Sequence, residues 1–481
     1  MWLSSGSQFR AKERQPRDGS VATRRRLQGG SSSDCHERSR IKLMSKIARL
    51  CALLMITTIP VGPGVAQSIQ GSEKIDTQQA PPPTGITGDW GGIRTELSDE
   101  GVNAAFSYVS ETAGNFEGGQ HSLVTDTGQF ALGFTGDLGR LLGIDGGTLQ
   151  ATITARQGDD LGQAAGLGVL QQVQEVYGRG QTVRLTQLWY EQTFSQGAVA
   201  LKLGRATVGE DIDNFSCYFM NLSFCGSQPG NIVGSYWYNW PVSQWAGRLR
   251  YSEDNSYVQG AVYEINPKNL DNGFSFGRFD GATGVLIPVE IGSNPDATAT
   301  GGAAFYKLGA WYSNAPGDDV FFDVNYQPRV VSGAAPLERS LRYGVWFSGQ
   351  QQLFGTADNG RVISGLTVFV NVTYTDHRTS TIDDQISTGL WWKGIIPALP
   401  DDVLGIGISR THVNPLVARG ELLDPTGPPV QHSEYATEVY YSLHPFNWVE
   451  MRPNFQLIHH PGGVQNAQDI GVLGLKAAVT L

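Results

Sequence analysis

In the stretch GGTLQATITARQGDD, residues 146–160, Leu149, Ala151, Ile153 and Ala155 alternate with Gln150, Thr152, Thr154 and Arg156. Successive side chains of a β-strand leave opposite faces of the sheet, so this pattern demands an apolar environment on one side and a polar one on the other. The same period of two returns in SQWAGRLRY, where Trp245, Gly247, Leu249 and Tyr251 oppose Gln244, Ala246, Arg248 and Arg250. It returns again in VLGLKAAVTL, with Leu473, Leu475, Ala477, Val479 and Leu481 set against Gly474, Lys476, Ala478 and Thr480. Repeated strands with one apolar face fit either soluble sandwiches or a closed barrel whose outside meets lipid. The polar faces separate the two. A sandwich presents many Lys and Glu to water, whereas these faces are small, hydroxylated or Arg-bearing, as a pore lining would be. The separators also alternate in length: SEDNS at 252–256 is tight, while 206–235 and 266–281 are long, Gly-rich and aromatic. Short turns at one end and long loops at the other are the outer-membrane pattern.

The alternation marks about seventeen candidate strands, near residues 102, 128, 148, 184, 198, 244, 257, 284, 303, 319, 341, 362, 385, 403, 433, 447 and 470. Single-chain bacterial barrels have even strand numbers, so about 16 are expected. The expected fold is therefore all-β: a transmembrane antiparallel barrel over residues 102–481. No segment beyond residue 66 offers the roughly 18 uncharged apolar residues of a spanning helix. Glycine accounts for 61 of 481 residues and charged residues for 17%. Against typical shares of roughly 7% and 25%, this composition fits extended structure with many turns.

Residues 44–66 read as a secretory signal, with Lys46 and Arg49 before an uncharged core and Gly64-Val65-Ala66 at the cleavage position. Residues 1–43 read as a non-native extension with Met44 as the start, and 67–86, which holds three consecutive prolines, as a linker. The whole chain has 35 Lys+Arg and 45 Asp+Glu; removing the 12 and 4 of residues 1–66 leaves 23 and 41, a balance of −18. Such a body repels nucleic acid and, in bulk, anionic substrates. Of the four cysteines only Cys217 and Cys225 lie beyond the signal, and an oxidising exported setting favours their disulfide.

One helical pattern precedes the strands, TGDWGGIRTELSDEG at residues 87–101. Asp89 can cap it, Ile93 and Leu97 share a face, and Gly101 can supply the left-handed stop. Its place before the first strand puts it on the periplasmic side, where Trp90, Ile93 and Leu97 would pack on the barrel rim and Arg94 would face the exit.

GDWGGIRTELSDEGV, ITARQGDDL, KLGRATVGEDI and EVYYSLHPFNWVEMRPNFQLIHHPGG occur in this order across residues 86–481. Together they resemble the carbohydrate-selective porin (OprB) family of Gram-negative outer membranes. The resemblance implies a 16-stranded barrel with a short N-terminal helix, passing glucose and related neutral sugars by passive diffusion, with no cofactor. Outer-membrane barrels typically finish in an aromatic residue, and here Leu481 stands instead. Expected partners are neutral mono- or oligosaccharides, outer-membrane lipid and lipopolysaccharide; a homo-oligomer is compatible with such a barrel, and nucleic acid is not expected.

A sugar has polar edges and an apolar ring face, so a selective pore needs fixed donors and acceptors beside an aromatic wall. Arg156, inward by the alternation of its strand, and Glu191 in LWYEQTF are the donor and acceptor candidates. Trp189 shares the parity of Glu191, Trp237 and Trp240 in YWYNW are stacking candidates, and Arg205, Arg248 and Arg250 are further lining candidates. An inward Arg can equally be held by a carboxylate across the lumen to keep the wall rigid, and the aromatic residues can equally form interfacial girdles. GFSFG at 273–277 matches a nucleophile elbow by letter but lacks the strand before it and the helix after it, so catalysis by a lipase-like barrel is not expected. His459-His460 lacks a third ligand in register, so no metal site is expected.

Overall fold

The structure, a computed structural model, describes residues 85–277, 279–295, 302–358 and 360–480. The signal, extension and nearly all of the linker lie outside the described residues. The alternating segments form β1 (Val102–Glu117), β2 (Val124–Asp137), β3 (Gly147–Gly158), β4 (Val183–Phe194), β5 (Val199–Ala206) and β6 (Gln244–Glu253). They continue as β7 (Ser256–Ile265), β8 (Gly284–Ser293), β9 (Ala304–Ser313), β10 (Gly317–Asp323), β11 (Pro336–Arg339) and β12 (Arg342–Asp358). The last six are β13 (Arg361–Thr375), β14 (Ile382–Lys393), β15 (Val403–Val413), β16 (Ser433–Phe446), β17 (Val449–His459) and β18 (Ile470–Thr480).

Sixteen of these close into one antiparallel barrel, each hydrogen-bonded to its neighbours, with β18 returning to β1. The expected strand near residue 319 is the surplus one. It is β10, which pairs with β11 in a separate two-stranded sheet, while β9 pairs directly with β12 from Ser313↔Arg342 to Ala304↔Gln351. Local alternation cannot distinguish a wall strand from a loop hairpin; only closure of the ladder does.

The expected parity holds in β3, β6 and β18. Leu149, Ile153, Leu249 and Leu473 stand on the exposed outer face, whereas Gln150, Thr152, Thr154, Arg156, Gln244, Arg248 and Lys476 are buried within. Closure satisfies every strand edge, which is what lets such a sheet stand in hydrocarbon. The connections sort by length as well. One end carries the tight 254–255 and 447–448, and the other carries 159–182, 207–243, 266–283, 314–341 and 414–432.

The N-terminal segment forms a 3-10 turn, Trp90–Gly92, and a helix, Ile93–Asp99. Gly92 holds the N-cap position of the helix, Asp89 reaches its first turn from three residues earlier by accepting from the backbone N–H (3.0 Å) and hydroxyl (2.9 Å) of Thr95, and Gly101 follows the helix at φ 100°. The packing face differs from the expected one at Ile93 and Arg94, while Trp90 packs on the wall and Leu97 is half-buried. Arg94 is buried, with Nη2 3.4 Å from the Ala104 carbonyl, while Ile93 is 54% exposed. Gly91 and Gly92, at φ 73° and 102°, turn the chain so that the Trp90 ring meets Phe106 edge-on at 5.6 Å. Phe106 shares the outer face of the barrel with Phe130 and Phe134, so the helix braces the outside of the wall and does not line the mouth. Trp90→Ala should therefore lower barrel stability by about 1 kcal/mol, the scale of one aromatic pair, and leave conductance unchanged. Heat-dependent gel mobility and single-channel current are the two measurements; a changed current would return the helix to the pore.

Candidate functional site: the constricted lumen

Two of the long connections fold inward and bind the inner wall. In 207–243, Val208, Ile212, Ile232, Val233, Tyr236 and Trp237 pack with Tyr263, Leu286, Trp311 and Trp346 of the wall into one apolar cluster. Further along the same loop, Phe215, Phe219 and Phe224 pack on Phe369, Trp391 and Tyr440. In 159–182, Leu161, Ala165, Leu167 and Val173 pack on Ala113, Ala436, Ile458, Ile470 and Val472. These inward aromatic and aliphatic residues interrupt the polar lining wherever a loop must dock, because burying apolar surface stabilises by roughly 25 cal/mol per Å².

Carboxylates of the wall then hold the loop backbones. Glu438 on β16 accepts from the N–H groups of Met220 (2.9 Å) and Asn221 (2.7 Å). Glu434, two pleat repeats away on the same inner face, accepts from Leu170 (2.7 Å), Gln171 (3.2 Å) and Gly462 (2.8 Å). On β1, Glu111 accepts from the N–H of Val176 (3.1 Å), and Lys476 bridges Glu111 (3.0 Å) and Glu175 (2.7 Å). Asp213 in the loop bonds Ser348 and the N–H of Gln228 (3.1 Å); burial pushes its carboxyl above the usual range, against the lowering from Ser348, and the facing Glu290 adds to the rise. Cys217 and Cys225 are joined as a disulfide, and Arg452 donates to the carbonyls of Cys217 (3.0 Å) and Tyr218 (2.8 Å). Apart from the two cysteines, none of these fastening residues stood out in the sequence, where the wall carboxylates are each one polar position among many on an alternating strand.

The candidate lining residues divide into two groups. Arg156 and Trp240 come together: Arg156 Nε (2.8 Å) and Trp240 Nε1 (3.0 Å) both donate to Gln129 Oε1, and Arg156 Nη1 also reaches the Gly178 carbonyl. A guanidinium, an amide and a partly exposed indole thus share one stretch of the wall, with Arg179 of the inserted loop nearby, its Nη1 2.8 Å from the Gly234 carbonyl. Burial lowers the Arg179 pKa from its ordinary value.

The others are engaged elsewhere. Glu191 and Arg248 pair with each other, and Arg248 also meets Asp211 at 3.1 Å. Lys202 joins them through Asp211 (2.7 Å) and Glu210 (3.3 Å) and lies 4.1 Å from the Trp189 ring centroid. Arg250 stacks over Tyr257 at 3.7 Å. Trp237 is fully buried, with Trp311 and Trp346 at 5.3 and 5.5 Å, so its faces are covered by other rings. Arg205 lies beneath the loop 266–283, bonded to Ser243 and, at 3.3 Å, to Asn269. Of Trp391 and Trp392, the first turns in against Tyr218 and the second turns out against Phe354.

Residues 121–481 match the family model described as "Carbohydrate-selective porin, OprB family". The chain is 42% identical to Porin B of Pseudomonas aeruginosa over 410 residues, covering 81% of this chain and 90% of that protein. It is 33% identical to the putative porin QuiX of Acinetobacter baylyi over 420 residues, covering 81% and 92%. Among solved structures, the high-pH form of Pseudomonas putida OprB superposes with a TM-score of 0.79 at 41% identity, over 83% of this chain and 99% of that one. A closed sixteen-stranded barrel with inward-folded loops, matched in sequence and in fold along most of its length, belongs to the carbohydrate-selective OprB porins of the Gram-negative outer membrane.

Proposed function

We propose that this porin passes glucose and related neutral mono- or oligosaccharides by passive diffusion, and that Arg156 and Trp240, joined through Gln129, form the sugar-contacting wall. The observation that carries the assignment is the shared hydrogen-bond acceptor, which sets a charged donor beside an aromatic face. A pyranose can lay its apolar face on the indole while its hydroxyls exchange water for the guanidinium and amide. Contacts of this kind are weak and few, so the sugar is guided without being retained. Glu191, Arg248, Lys202 and Asp211 support that wall as a mutually neutralised network. The apolar outer face contacts outer-membrane lipid and lipopolysaccharide, and association of copies into a homo-oligomer would run through the same face.

Removing the guanidinium tests the assignment. Arg156→Ala should raise ion conductance and reduce discrimination among sugars roughly fivefold, the equivalent of about 1 kcal/mol. Planar-bilayer current and liposome swelling with hexoses and disaccharides measure the two effects. Unchanged current together with an unchanged sugar ranking would remove Arg156 from the constriction. Equal swelling by all solutes of one size, before any mutation, would make the channel a general diffusion pore.

A further inference from the structure

At the loop-bearing end of the barrel, the outer face of β13–β15 carries a cluster of side chains that the sugar path does not use. β14 begins there and β15 ends there, and the register between them slips at Ile382/Asp384, which makes Asp383 the extra residue of a bulge. A bulge re-aims the side chains beside it, and bulges gather at barrel rims. Here two successive carboxylates reach one imidazole: His412 Nδ1 stands 2.6 Å from Asp383 Oδ1 and 3.4 Å from Asp384 Oδ2. In a regular strand, neighbours leave opposite faces and could not meet in this way. Asp384 and His412 share parity with Ile386 and Ile408, which are exposed on the outside of the barrel, so the cluster faces away from the lumen.

The other oxygen of each carboxylate is already fixed. His377, in the connection 376–381, sets Nδ1 3.1 Å from Asp383 Oδ2, and its Nε2 meets the Tyr374 hydroxyl. Asn414 holds that connection by donating to the carbonyls of His377 (2.7 Å) and Ser380 (2.7 Å). Arg410 Nη1 lies 2.6 Å from Asp384 Oδ1, and its Nε donates to Ser433 at 3.2 Å. One oxygen of each carboxylate and one imidazole nitrogen are left converging, and each carboxylate is braced from behind as metal-ligating carboxylates are. The side chains of Asp383, Asp384 and His412 are 3%, 18% and 21% exposed, so the place is sheltered and still open to solvent. A single Nδ1 proton serves both converging oxygens there. The other such convergence among the described residues, Glu175 with Cys217 and Cys225, offers no comparable donors, because the disulfide uses both sulfurs.

We propose that Asp383 Oδ1, Asp384 Oδ2 and His412 Nδ1 bind a divalent transition-metal ion of the Zn2+ type, which takes the place of the shared proton and keeps water in its fourth position. A mixed imidazole and carboxylate set suits such an ion, whereas Ca2+ and Mg2+ take oxygen alone. Tetrahedral bonds of about 2.0–2.1 Å set ligand atoms about 3.3 Å apart. The His412–Asp384 separation of 3.4 Å already has that length. The His412–Asp383 separation of 2.6 Å has to open by about 0.7 Å, which a rotation of the Asp383 carboxylate supplies. The ion ties β14 to β15 at the rim, outside the barrel, and leaves the sugar path as it is.

The test is calorimetric titration of the full-length protein in detergent with Zn2+ and with Ca2+, on protein prepared without a histidine tag. Zn2+ should bind roughly tenfold or more tightly than Ca2+. His412→Ala and Asp384→Asn should each weaken Zn2+ binding by roughly tenfold or more. Asp384→Asn keeps the shape of the side chain, so it carries the test if His412→Ala fails to assemble, and heat-dependent gel mobility shows which variants are folded barrels. Replacing the exposed His459 and its neighbour His460 together by Ala should leave the affinity unchanged. Absence of Zn2+ binding overturns the proposal. Affinity that persists in both single variants, or that disappears with His459 and His460, removes the ion from this cluster and overturns it as well. Ca2+ bound as tightly as Zn2+ excludes the imidazole as a ligand, with the same consequence. Glucose-driven liposome swelling should be equal with and without saturating Zn2+; a block by Zn2+ that His412→Ala relieves would put the cluster in the sugar path and overturn its place on the outer rim.

Discussion

Glu438→Ala should release the constriction loop and raise single-channel conductance about twofold or more, with added current noise. Both oxygens of this side chain accept backbone N–H groups, Met220 at 2.9 Å and Asn221 at 2.7 Å, so the group is a double acceptor on the inner wall. Removing it leaves two buried donors unsatisfied, at a cost of about 1–3 kcal/mol each. The loop would retain its aromatic packing on Phe369, Trp391 and Tyr440 and the bond from Asn221 Nδ2 to Gln456 (3.0 Å), so it should loosen without unfolding. Glu438→Gln keeps one acceptor oxygen and should fall between the two. Single-channel recording with sugar-selective swelling measures the outcome. Wild-type current and selectivity in Glu438→Ala would mean that apolar packing alone holds the loop.

Asp211→Ala should destabilise the barrel wall by about 3 kcal/mol, toward the lower end of the 3–5 kcal/mol cost of removing one partner from a buried ion pair. Asp211 lies between two buried cations, 2.7 Å from Lys202 and 3.1 Å from Arg248, and also accepts from the Tyr263 hydroxyl at 3.3 Å. Glu210 and Glu191 would each retain one of the cations, which limits the loss. The double replacement Asp211→Ala with Lys202→Met removes the charge left behind and should recover a large part of the stability, because the cost lies in the unpaired ion and not in the absent attraction. Denaturant or heat titration of the gel-shifted folded form reads both variants. If the double replacement were less stable than the single one, the network would be a net stabiliser of the wall.

The strand pattern was legible because its signal is local. Parity along β3 is sufficient to turn Arg156 inward and Ile153 outward, whatever lies across the lumen, and the same holds for Lys476 and Leu473 on β18. The surplus candidate, β10, has a local strand pattern and pairs, as a strand must, but with β11 outside the barrel. YWYNW was legible as an aromatic cluster with a mixed role, yet Trp237 and Trp240 differ in environment: one is covered by Trp311 and Trp346 and the other donates to Gln129 on β2. At the N-terminus, the i,i+4 pair Ile93 and Leu97 was read as the packing face. The two glycines before it rotated the segment so that Trp90 met the wall as expected, but Arg94 met it in place of Ile93.

The sequence by itself determined the barrel, the inward or outward direction of the residues along β3, β6 and β18, the division into short and long connections, and the family. All of these follow from period-two geometry and from motifs read along the chain. Only the tertiary structure decided which inward charges meet. Glu191 and Arg248 are 57 positions apart and Asn221 and Glu438 are 217 apart, and such pairs depend on the path of an inserted loop across a closed lumen. The physical reason is that side-chain direction is set by the backbone of a residue's own strand. Whether a directed charge is neutralised, fastens a loop or is left to receive a sugar is set by what the rest of the chain brings opposite it.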